Sequence, residues 1–179
     1  MSRNVSGQAY ALTVLTPIKD GQAPALIAHL DALGDGDASP LSRVPGTHIA
    51  RWVVIDDVKF QGHGQRHHDK LSAQRLLFSS NFDGDLDVYL EGLRTGMAED
   101  ADAIWSHCRD YPGHGNPGAF RAYMRAYQLE AALFFAAYGD QTVGQVKANV
   151  AQRRRLIDFA MAGQTLDAET LKARFLETF

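Results

Sequence analysis

The chain has 179 residues, 45% hydrophobic and 22% charged, with a net charge of −3, the balance of one globular domain with its own core and not of a disordered segment or a basic nucleic-acid binder. Its single cysteine, Cys108, excludes an intramolecular disulfide and a cysteine-built zinc site. No run approaches the roughly 18 apolar residues of a spanning helix and the opening "MSRNVSGQAY" has no apolar signal region, so a cytoplasmic protein without membrane or nucleic-acid partners is expected.

Residues 10–18, "YALTVLTPI", are β-branched and apolar and predict a strand that Pro17 limits. Residues 22–33 predict a helix, with Leu26, Leu30 and Leu33 on one stripe and Gly34 as the stop. After a loop rich in Gly, Pro and Asp comes the clearest strand, "THIARWVVIDDV", 47–58. Residues 59–74 are polar, hold His63, His67 and His68 beside Asp69, and read as a long excursion between two antiparallel strands. Gly62 and Gly64 argue against the helix that would bring His63 and His67 onto one metal, so no metal site is assigned. "RLLFSSNF" predicts the third strand, and Leu86, Tyr89, Leu90 and Leu93 mark one face of the helix that follows. A second helical piece spans 98–108, and "RDYPGHGNPG" is a loop. Phe120, Tyr123, Met124 and Tyr127 stripe a helix over 119–129. "AALFFAAYG", 131–139, is expected as the fourth strand, with a helical reading left open by its alanines. Thr142 and Gln145 form a capping box before a long helix, and a last helix covers 165–178.

This order predicts an α+β, ferredoxin-like split βαβ plan: a four-stranded antiparallel sheet, helices on one face, and extra C-terminal helices. One domain spans 1–179, with a core over about 9–160 and an extension over 161–179. The second strand is apolar on both sides, with Ile49, Val53 and Ile55 on one and Ala50, Trp52 and Val54 on the other. Such a strand implies a covered second face, and a sheet-to-sheet homodimer is the expected cover.

"LLFSSNFDG" on the third strand, "HIARWVVIDD" on the second and "DYPG" after the second helical region resemble a bacterial branch of the dimeric α+β barrel superfamily, over residues 9–160. The resemblance implies ferredoxin-like subunits that pair their sheets. It also implies chemistry on small organic molecules, with cofactor-free oxygenation, haem-dependent peroxidation or dehydration, and isomerisation all represented. Fold alone does not choose among these.

Strand alternation puts Leu77, Ser79, Asn81 and Asp83 on one side of the third strand, a polar set on a face that should be covered. Ser79 and Asn81 are candidate substrate-binding residues, or else line a wet part of the dimer. Asp83 is a candidate ligand for substrate, or else the cap of the next helix. His48 is a candidate base and Arg51 a candidate anion site, against the plainer readings of a satisfied histidine and a structural ion pair. Alternation separates these two unless a bulge intervenes. His107, at a helix end, is a dipole-stabilised cation, a pocket base or an axial haem ligand. Trp105, Tyr123 and Tyr127 are candidate pocket walls, though helical periodicity reads the tyrosines as core.

The leading expectation is a small cofactor-free enzyme acting on a compact, largely apolar organic molecule in a pocket between sheet and helices. Its rivals are a non-covalent haem oxidoreductase with His107 as ligand, and a non-catalytic dimeric binding or interaction module.

Overall fold

The structure, a computed structural model, describes residues 8–58, 63–64, 67 and 69–179. Strands β1 (Ala9–Pro17), β2 (Thr47–Ile55), β3 (Arg75–Asp83) and β4 (Gln128–Leu129) form one antiparallel sheet in the order β2-β3-β1-β4. Helices α1 (Ala23–Asp31), α2 (Leu86–Gly96), α3 (Ala98–Trp105) and α4 (Pro117–Ala126) precede β4, and α5 (Val143–Gly163) and α6 (Ala168–Thr178) follow it. This is an α+β fold compatible with the ferredoxin-like plan.

Alternation along β3 decides where the core lies. Leu76, Phe78, Ser80 and Phe82 are buried, while the odd-numbered residues between them are half-buried. The even side meets the helices: Phe78 packs against Trp52 and Trp105 at ring distances of 5.3 and 5.5 Å, and Phe82 stacks on Tyr89 at 4.0 Å. Leu12 and Val14 of β1 and Leu26, Leu90, Leu93, Ile104 and Phe120 of the helices complete this core. Burying each such side chain is worth about 1.5–3 kcal/mol, which makes this face the main source of stability. The opposite, open face carries Ile49, Val53 and Leu129, all exposed in the single copy.

Local chemistry sets the helix starts. Gly84, at φ +82°, turns the chain out of β3. Asp85 then caps α2, its Oδ1 accepting from the backbone N–H of Asp87 at 2.8 Å and of Val88 at 3.2 Å. The cap is therefore Asp85 and not Asp83. Asn116 caps α4 ahead of Pro117, and the Thr142–Gln145 capping box opens α5 as its sequence predicts.

The expected fourth strand over 131–139 is displaced. Pairing stops after Gln128 and Leu129, which oppose Val14 and Thr13. The chain then runs on without regular structure until the Ala9 N–H donates to the Gly139 carbonyl at 2.7 Å. Its alanines favour strands weakly, and the segment leaves Leu133, Phe135 and Tyr138 exposed. Beyond it, α5 and α6 pack on each other through Phe159, Phe175 and Phe179 and bury no residue in the core.

Candidate functional site

Ser79, Asn81 and Asp83 of β3 share the side of the strand away from the core. Ser79 sits between Thr13 of β1 and Arg51 of β2, and Asn81 sits between Ala11 and Ile49. Directly opposed residues on one face bring their side chains within reach of each other, so Arg51, Ser79 and Asn81 form one neighbourhood. Arg51 is exposed and has no ion pair among the described residues, and the Asn81 amide makes no side-chain hydrogen bond among them.

His48 joins them through a bulge. Thr47 opposes Phe82 and Ile49 opposes Asn81, so His48 is the extra residue on β2. Its Nε2 lies 2.6 Å from Asp83 Oδ1, and the two side chains are 21% and 15% exposed. An ionised carboxylate only accepts, so Nε2 is the donor in this bond and Nδ1 is the ring atom left for another partner. Asp83 is itself fixed from two further sides. Its Oδ2 accepts from the Val143 N–H at 2.8 Å, and its own N–H donates to the Gly46 carbonyl at 2.9 Å. Gly46, at φ +78°, is the last turn residue before β2, and a Cβ there would stand 3.4 Å from the Asp83 Cβ.

Beneath the bulge, on the core side, Thr47 Oγ1 lies 3.2 Å and Ser80 Oγ 2.5 Å from the Tyr89 hydroxyl. Burial pushes the Tyr89 hydroxyl up, against the hydrogen bonds of Ser80 and Thr47, so it stays neutral and acts as a brace. This chain satisfies the one buried serine of β3, Ser80.

The remaining expected site residues fall elsewhere. Trp105 is fully buried between Trp52 and Phe78, and its Nε1 has no hydrogen-bond partner among the described residues. Tyr123 is buried with its ring 5.1 Å from half-buried Tyr127, and burial pushes its hydroxyl up. All three belong to the helix side of the sheet, so they cannot share a pocket with Ser79 and Asn81. His107 lies at the other end of the sheet, its Nδ1 2.9 Å from Gln22 Oε1. Burial, then His29 and Lys19, lower its pKa. The polar groups that the structure places beside it are Gln22, His29 and Lys19. His63 and His67 are exposed, and His68 lies outside the described residues.

One cluster escaped the sequence reading. Asp102 of α3 accepts from the Tyr111 hydroxyl at 2.8 Å and the His114 N–H at 2.8 Å, and lies 2.7 Å from His114 Nδ1. Burial pushes the carboxyl up, but these bonds outweigh it and hold Asp102 below the usual range. The same carboxylate, after burial, drives the Tyr111 hydroxyl up. The cluster fastens the 109–116 loop to α3, and a twelve-residue separation carries no local pattern that would announce it.

No helix among the described residues is long and apolar enough to cross a membrane. Comparison with family models, with curated proteins and with solved structures finds no match to this chain.

Proposed function

We propose that this chain is a homodimeric, cofactor-free enzyme that moves a proton on a compact, largely apolar organic molecule held against the open face of the sheet. The observation that carries this reading is the His48–Asp83 pair at a β-bulge. A bulge that turns a histidine onto a carboxylate, half-shielded from water, is an arrangement that orients a general base. In this reading His48 Nδ1 takes a proton from the substrate, and Asp83 steadies the imidazolium that forms. Arg51 faces the negative charge left on the substrate oxygen, with Ser79 and Asn81 fixing its polar end. Returning the proton to another atom of the substrate completes an isomerisation, and losing a leaving group instead completes an elimination. Ile49, Val53 and Leu77 supply an apolar floor, and a second sheet, as in the superfamily this chain resembles, supplies the roof.

The test is proton exchange. The protein is incubated in deuterium oxide with a panel of small carbonyl compounds, and loss of the α-proton signal is followed by NMR. Exchange is expected for at least one compound, with a loss of at least a hundredfold in His48→Gln, the usual weight of a positioned acid–base group. Exchange that is unchanged in His48→Gln, or none across the panel, defeats the reading. The exposed apolar residues Leu133, Phe135 and Tyr138 favour the second reading, a dimeric interaction module, in that case.

A further inference from the structure

We propose that residues 143–179 form an arm that seats on a second copy of this chain, an inference that does not rest on the acid–base reading. Helix α5 runs for 21 residues without burying one of them; among the described residues it packs on α6, and its Val146 and Val150 line a shallow pocket with Tyr138 and Gln141. Helices in water owe most of their stability to packing of an apolar face, so this hairpin is short of a partner. The face that needs one is visible. Val146, Val150, Ile157 and Met161 stand exposed along α5, and Leu176 and Phe179 along α6. Val143, Val146, Val150, Arg153, Ile157 and Ala160 follow a 3–4 spacing, the seam of a helix built to lie against another surface. Between the two helices runs a groove of about 520 Å³ lined by Leu156, Phe175 and Phe179 among polar neighbours.

Three observations assign the partner as a second copy. The first is that the body presents its own unpartnered apolar surface at and after β4, where Leu129, Leu133 and Phe135 stand exposed. A two-fold exchange covers both surfaces of both chains at once. The second is charge. Residues 143–179 hold six Lys and Arg against four Asp and Glu, a net +2, and the whole chain is at −3, so residues 1–142 carry −5. A cationic arm and an acidic body complement each other between copies. The third is reach. The root of the arm is pinned to the end of the sheet by the Val143–Asp83 bond, and 21 helical residues extend about 30 Å, the diameter of a small domain.

Sedimentation velocity of the full chain tests this. The wild-type protein is expected at about twice its 19.7 kDa. Val150→Asp with Ile157→Asp is expected to sediment at the mass of one copy at the same concentration, with the melting transition of the body retained, because both side chains are exposed in the single copy. Should those changes unfold the chain, Arg153→Glu with Arg154→Glu and Arg155→Glu carries the test, with at least a tenfold rise in the dimer Kd expected from exposed side chains that need no packing. A wild-type monomer, its arm folded onto its own body or reserved for another protein, overturns the proposal. A dimer that survives the α5 variants overturns it too. If Ile49→Asp splits that dimer instead, the sheet contact stands and the arm alone falls.

Discussion

Replacing Asp83 by asparagine separates the two duties of one carboxylate. In the wild-type protein Oδ1 serves His48 and Oδ2 serves the Val143 N–H, at 2.6 and 2.8 Å. The amide keeps a single accepting oxygen, so one partner must face an NH2 donor. A hydrogen bond to a charged group contributes about 1.5–3 kcal/mol, and both side chains here are less than a quarter exposed. Asp83→Asn should therefore cost about 2 kcal/mol, or about 4–8 °C in Tm for a chain of this size. With His48→Ala already in place the conflict disappears, since the amide oxygen can turn to Val143. The same change should then cost under about 0.5 kcal/mol, a coupling of about 1.5 kcal/mol between the two positions. Urea unfolding followed by circular dichroism, at one fixed protein concentration, measures all four corners of the cycle. Purely additive effects would show that the pair is not coupled, and His48 would lose its claim to be an oriented base.

Asn81→Leu keeps bulk on the open face and removes an amide with no described hydrogen bond; its Tm should stay within a few degrees of wild type while turnover in the proton-exchange assay falls at least tenfold, as for a lost substrate-positioning contact. Phe78→Ala empties a fully buried site between Trp52 and Trp105 and should cost about 3–5 kcal/mol in urea unfolding. The depressed Asp102 carboxyl adds stability that is fully present above its unfolded pKa of about 3.9 and is lost as pH falls through its lower folded value. The stability difference between wild type and Asp102→Asn should accordingly be flat above about pH 5 and shrink below about pH 4 in acid titrations read by unfolding. Gly46→Ala places a side chain at φ +78° and 3.4 Å from the Asp83 Cβ; a loss of about 1–2 kcal/mol is expected by thermal melting.

Periodicity made β1, β2 and β3 legible, because each has one side that meets a continuous core and must be apolar. It also placed Ser79, Asn81 and Asp83 together on one side of β3. What alternation alone could not say was which side the helices take. The apolar character of Leu76, Phe78 and Phe82 decides that in favour of the even side, which moves the candidate site from beneath the helices to the open face. The bulge at His48 was illegible for another reason. No glycine marks it, and it exists because Thr47 reaches Tyr89 below while His48 reaches Asp83 above, two contacts far apart in sequence. The 131–139 segment misled because a run of apolar residues looks like a strand whether or not a partner edge in the same chain is there to receive it. Capping chemistry is local, so the Thr142–Gln145 box was readable at once, whereas the choice of Asp85 over Asp83 as the α2 cap depended on the Gly84 turn between them.

The two tryptophans of the chain, Trp52 and Trp105, lie with ring centres 6.3 Å apart in the helix-side core, and neither indole N–H has a hydrogen-bond partner among the described residues. Such indoles emit at short wavelength, and at this separation they exchange excitation as one chromophore. Neither ring is on the open face, on the 131–139 segment or on α5 and α6. Tryptophan emission, excited apart from tyrosine, is therefore an optical readout of the core. A ligand arriving beside Asn81, or a second copy leaving the arm, passes without a change in emission, while any loosening of the helices from the sheet shifts it to the red. The chain thus carries a built-in internal standard, one that separates events on its surfaces from the melting of its interior.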